Sequence, residues 1–211
     1  CSLAAGNRKL NDLYHDTGFS RAKISVYLKN LMAYDIVEKI SVFETGGWDN
    51  AQKGLYQIKH TLIHFWYKFV YPHMSGLYEM STEEFYERYI KEELNDYLNR
   101  YFVKVCGEYL ALLNAQGQLA VQAVKMGVWI GKKGTIDIIA QDSVRQNIVA
   151  ICNWSEPELT DEMWKNLEFS MKQAKIKAEQ YYLFSAQSFD EAIRERAEEN
   201  PKIKLIDMNE L

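Results

Sequence analysis

A chain of 211 residues with 47% hydrophobic content can form one large globular domain or two small ones. Its net charge of −4 excludes a uniformly basic nucleic-acid-binding surface, and no apolar run reaches membrane-spanning length, so no membrane partner is expected. The charge is uneven: residues 1–60 hold 8 Lys+Arg against 6 Asp+Glu, and the remainder holds 17 against 23, which makes the N-terminal part the one suited to a polyanion. Cys1, Cys106 and Cys152 are too few and too scattered for a disulfide framework or a zinc cage. The last two sit in apolar contexts and read as reduced core residues. No signal peptide is visible, and a cytoplasmic protein is expected. The chain begins at Cys1 rather than Met, which suggests that sequence lies upstream. Nothing in it specifies an oligomeric state.

Residues 7–17 predict a short helix with Leu10, Leu13 and Tyr14 on one face, ended by Gly18. Ser20 is placed to cap a second helix over 20–34, whose apolar residues Ile24, Tyr27, Leu28, Leu31 and Met32 recur at three and four. Its other face carries Arg21, Lys23, Ser25 and Lys29. A strand is expected from Val37 to Phe43, then a loop with Gly46, Gly47, Asp49 and Asn50, then a strand from Gly54 to Ile58. Helix, glycine turn, helix and hairpin is the order of a winged helix-turn-helix, with the first of the usual three helices truncated to CSLAAG. In that reading Arg21, Lys23, Lys29 and Lys53 of the wing contact DNA phosphates, with Ser25 or Tyr27 near bases, while Glu44 and Asp49 oppose phosphate binding. The alternative is a solvated helix face, or one that packs on a neighbouring domain.

The aromatic run HTLIHFWYKFVY (60–71) predicts a helix stopped by Pro72. Ser81 with Glu84 forms a capping box that opens helical sequence over 82–114, broken near Asn95 to Asn99. Strands are expected at 119–130, 134–141 and 146–154, a helix from Thr160 to Ala178, a strand at 181–185, a helix capped by Ser188 and Glu191, and a strand at 203–208. The alternation of the last strands with helices calls for a partly parallel sheet. The expected fold is α/β (α+β overall). Its domains are a winged helix-turn-helix over 1–59, an aromatic connecting helix and linker over 60–80, and an α/β domain with a mixed sheet over 81–211.

The stretch from Gly134 to Trp154 reads as a hairpin of two largely buried strands, yet it contains Asp137 and Asn153. Charge inside such a run is costly unless it is paired, ligated or at an edge, so these two residues mark a site or the remains of one. His60 and His64 are four apart, but HTLIH lacks the glutamate of a zinc helix and no third ligand is evident. GVWIGKK lacks the full spacing of a phosphate loop and reads as a hairpin turn. Trp129 and Trp154 read as core residues on adjacent strands.

A helix, a hairpin with Asp on one strand and a Glu-x-Lys position on the next, then helix and strand, resembles the core of restriction-endonuclease-like PD-(D/E)XK nucleases. With the AAGNRKLNDL, GLYQIKHTLIHFWYKFVYP, GVWIGKKGTIDIIA and AICNW blocks, nearly the whole chain resembles the C-terminal region of archaeal-type AAA-like ATPases. In that family a P-loop ATPase domain precedes a winged helix and a nuclease-like domain. The resemblance implies that ATP and Mg²⁺ belong to such an upstream domain of the same chain, with no cofactor in these residues. In an active nuclease two carboxylates hold Mg²⁺ and a lysine steadies the developing charge. Asp137 matches the Asp. The Glu and Lys positions fall on Ile151 and Asn153, the helix glutamate falls on Val103, and Thr135 stands where many relatives carry Glu. Glu108 would need a different geometry to substitute. Each lost group typically costs ~10²–10³ in rate. The expected function is therefore non-catalytic: a winged helix for DNA or interdomain contact and an inactivated nuclease-like domain, with ATPase activity confined to the upstream domain. The alternative is a metal-dependent DNA nuclease with an atypical site around Asp137.

Overall fold

The computed structural model describes residues 1–43 and 54–211. Glu44, Gly46, Gly47, Asp49, Asn50 and Lys53 of the expected wing lie outside the described residues. The protein is mixed α+β and divides into two compact units. The first takes in Cys1–Ser41 and the chain from residue 54 to Leu94. The second takes in Val42, Phe43 and Asn95–Leu211.

In the first unit, helix α1 (Leu10–Thr17) ends at Gly18, whose φ of +68° only glycine adopts without strain and whose amide donates to the Tyr14 carbonyl. Ser20 then caps α2 (Arg21–Ala33), its hydroxyl accepting from the Lys23 amide. Strands β1 (Val37–Ile40) and β2 (Leu55–Ile58) pair antiparallel. Leu13, Ile24, Leu28, Val37 and Ile58 form one core with Leu3 and Ala4. The aromatic run is helical as its pattern requires, but in pieces: α3 (Thr61–Phe65), one π turn (Trp66–Val70) and one 3₁₀ turn (Tyr71–His73). Pro72 has no amide hydrogen to offer the carbonyl four residues back, and the helix widens ahead of it. Two short helices follow, α4 (Gly76–Glu79) and α5 (Thr82–Tyr89), the latter capped by Ser81 through the Glu84 amide.

The second unit is a five-stranded mixed sheet between helical layers. Its strands are β3 (Lys125–Ile130), β4 (Thr135–Gln141), β5 (Asn147–Asn153), β7 (Gln180–Ser185) and β9 (Ile203–Ile206), in the order β3-β4-β5-β7-β9. The first three run antiparallel, and β5, β7 and β9 run parallel, as the helix–strand alternation demands. Alternation splits the side chains between two cores. Ile148, Ala150, Cys152, Tyr182 and Phe184 pack with Phe102, Cys106 and Leu110 of α6 (Lys91–Ala115). Val149, Ile139 and Leu183 pack with Trp164, Leu167 and Met171 of α7 (Asp161–Ala174) and with Ile193 of α8 (Glu191–Glu199). Two short parallel strands, β6 (Glu158–Leu159) and β8 (Ser188–Phe189), tie the starts of these last helices together.

Several local expectations give way to tertiary demands. The first strand stops at Ile40 rather than Phe43. Phe43 is buried in the second unit, with its amide donating to the Val128 carbonyl at 2.7 Å. The helical break falls at Ile90, and α6 runs straight through Asn95–Asn99 because Tyr97 is buried and the Asn99 side chain accepts from the Trp154 amide. Asp190, not Ser188, caps α8, accepting from the Ile193 amide, whereas Ser188 is spent in β8. Trp129 is buried on β3, whereas Trp154 lies just past the end of β5 and is half-buried, and the two pack against opposite faces of the sheet.

Candidate functional site

The Gly134–Trp154 hairpin forms as its pattern predicts. Asp142 closes the turn by accepting from the amides of Val144 and Gln146, while Arg145 takes a left-handed φ of +69°. Pairing between β4 and β5 runs from Gln141–Asn147 to Ile138–Ala150 and stops there. At the next step the Asp137 carboxylate enters the gap, its Oδ2 accepting from the Cys152 amide at 2.9 Å. The strand also rotates here, since Ile136 joins the α7 core although Ile138, two residues on, faces α6. A ladder opened by a side chain leaves a cleft of about 420 Å³ between the two strand ends and α7.

The cleft is lined by Lys133, Gly134, Thr135 and Asp137 on one side, by Ala150, Ile151 and Cys152 on another, and by Met163, Asn166, Leu167 and Ser170 of α7. Asp137 is the one carboxylate among these. Loss of hydration pushes its pKa up to about 6, and the Cys152 amide opposes only part of that. Behind it, burial pushes the Cys152 thiol up, with a hydrogen bond to Cys106 adding to the effect. Gly134 is required by close packing: a β-carbon there would lie 2.3 Å from the Ser170 hydroxyl.

The sequence-predicted positions separate. Ile151 lines the cleft beside Asp137. Asn153 does not. It is buried and stitched into the next turn, donating to the Glu156 carbonyl at 2.9 Å and accepting from the Glu156 amide at 3.1 Å. Val103 is half-buried and packs on the α6 core, and Glu108 is exposed on α6, outside the cleft lining. Among the described residues no group of three or more His, Cys, Asp or Glu side chains is arranged to hold a metal. A lone, amide-bonded carboxylate with no second carboxylate beside it in the cleft does not fit the Mg²⁺ that the nuclease resemblance implies. Sequence reasoning missed Ser170 and Asn166, because helix periodicity says only that they share a face with Met163 and Leu167.

On the first unit, Arg21, Lys23, Ser25 and Lys29 all lie exposed on α2. The Arg21 guanidinium donates to Asn11 Oδ1 at 2.7 Å and sits 4.3 Å from the Tyr14 ring centroid. The Lys23 ammonium sits 3.8 Å from the Phe19 centroid. The Ser25 hydroxyl donates back to the Arg21 carbonyl. Phe19, Val26 and Tyr27 stand exposed among these cations. His64 is buried, with Nε2 3.3 Å from the Ala4 carbonyl, while His60 is exposed at the start of α3. No described helix is long and apolar enough to cross a membrane.

A mixed five-stranded sheet with a one-carboxylate cleft, and a smaller helical unit with a two-stranded hairpin, define the class. Within it, residues 66–170 match a family described as archaea bacterial proteins of unknown function. Over 158 residues the chain is 29% identical to an uncharacterized protein of Methanocaldococcus jannaschii, an alignment covering 74% of this chain and 34% of that protein. The chain thus spans about a third of that relative's length. No solved structure matches it.

Proposed function

We propose that these residues are a non-catalytic contact module of a larger ATPase. In this reading the first unit is a winged helix that uses the exposed face of α2 for DNA or interdomain contact. The second is a nuclease-like domain whose metal site has been dismantled. ATP, Mg²⁺ and hydrolysis belong to another domain of the whole protein. The observation that carries the reading is the hydrogen bond from the Cys152 amide to Asp137, with aliphatic Ile151 beside it in the cleft and Asn153 turned away into a structural role. Phosphodiester hydrolysis of this type depends on two or more convergent carboxylates, and the cleft lining offers one.

The test is cleavage of plasmid and of single-stranded DNA with Mg²⁺ or Mn²⁺, comparing the wild type with Asp137→Ala. No divalent-dependent cutting is expected from either protein. Cutting that disappears in the variant would replace this reading with that of an atypical nuclease. Phosphate release from ATP by these residues alone would equally contradict it.

A further inference from the structure

We propose that the Asp137 cleft binds a small hydroxylated anion, a sugar phosphate or a sugar acid, with its hydroxyls at the inner end and its anionic group on Lys133. This rests on the non-catalytic reading above and names the ligand class of that same site. Ser170 carries the inference. It is 2% exposed, it lines the cleft, and its hydroxyl has no hydrogen-bond partner among the described residues. The hydroxyl lies 2.3 Å from where a β-carbon on Gly134 would stand, so the glycine leaves it room at the cleft wall. An unpartnered polar side chain in a buried position is costly, and native proteins keep few of them.

Asp137 repeats the pattern. Its Oδ2 takes the Cys152 amide, while Oδ1 has no partner among the described residues. Thr135 adds a hydroxyl, and Asn166, one turn before Ser170 on α7, adds an amide, neither of them spent on another described residue. Side chains from β4 and α7 thus bring spare hydrogen-bonding capacity to one cleft of about 420 Å³, the size of an ordinary small-molecule site. Hydroxyl and amide side chains both donate and accept, and a carboxyl accepts when ionised and donates when neutral. A ligand hydroxyl can answer all of them, whereas an ammonium only donates. Lys133 is exposed, is the one cation in the lining and has no ion pair among the described residues, so it is placed to take a single anionic group. A nucleic-acid backbone, with phosphates in succession, would need more than one. Ile151 and Leu167 give the C–H faces of the ligand an apolar wall.

The probes are ribose 5-phosphate and gluconate, with ribose and inorganic phosphate as the separate halves of the chemistry. Each is titrated into the full 211-residue chain and followed by amide and methyl NMR shifts. Expected is saturable binding of one or both hydroxylated anions, about tenfold or more tighter than either half, with shifts centred on Gly134, Ile151 and Ser170. The tighter of the two identifies the anion as phosphate or carboxylate. Ser170→Ala removes only the hydroxyl and Lys133→Ala changes an exposed side chain, so both proteins should fold, and each should bind about tenfold more weakly. Absence of saturation, shifts centred elsewhere, indifference to either substitution, or inorganic phosphate binding as tightly as the sugar phosphate would overturn the proposal. The non-catalytic reading survives all of these outcomes and falls instead to divalent-dependent DNA cleavage.

Discussion

The Asp137 carboxylate occupies the place where β4 should bond β5, receiving the Cys152 amide proton at 2.9 Å. Its pKa is raised to about 6 from an ordinary 3.8, so the folded state holds this proton more tightly than the unfolded state. That contribution is fully present below pH 3.8 and is lost as pH rises through 6. Asp137→Asn keeps an oxygen for the Cys152 amide and removes the cost of charging. We expect it to raise stability at pH 8 by on the order of 2 kcal/mol and to flatten the stability profile across that window, read by urea unfolding at a series of pH values.

Gly134 and Ser170 form a second dependent pair. Gly134→Ala brings a methyl to 2.3 Å from the buried Ser170 hydroxyl, but to an ordinary 3.5 Å from its β-carbon. The single variant should lose about 1–3 kcal/mol. Adding Ser170→Ala should recover most of that loss, a coupling of about 1 kcal/mol or more in a double-mutant cycle. Strict additivity would show that the contact is slack.

Asn153 tests whether a nuclease-like residue can simply be restored. Asn153→Ala should cost about 2 kcal/mol, since the two hydrogen bonds that the buried Asn153 amide makes to the Glu156 main chain vanish. Asn153→Lys should cost more, because an unpaired ammonium would be buried where the amide now bonds in both directions. It should confer no divalent-dependent cleavage. Thermal unfolding and a plasmid assay read the two effects separately.

On α2, Lys29→Ala and Lys23→Ala should each lower the slope of DNA affinity against salt by about 1, uniformly across sequences, if DNA is the ligand. Arg21→Ala should additionally reduce stability by roughly 0.5–1 kcal/mol, as the guanidinium also packs on Tyr14 and bonds Asn11. Fluorescence anisotropy at several salt concentrations checks the first, and chemical denaturation the second.

Much of the fold was legible because its signals are local. Gly18 and Ser20 set a helix end and a helix start by backbone chemistry, and the apolar runs around Asp142 specified a hairpin. The odd placement of Asp137 and Asn153 also marked positions where buried polar groups need partners. Which partners they have was not written locally. The Cys152 amide, the Glu156 main chain and the Ser170 hydroxyl are brought to these residues by strand register and helix packing. The same physics moved Phe43 out of its expected strand and carried α6 through Asn99, because burying a ring or satisfying an amide outweighs the small propensities that sequence reading relies on. Sequence thus determined which residues need explaining, and the tertiary structure decided that Asp137 meets an amide and an aliphatic neighbour, since only long-range packing chooses what stands opposite a side chain.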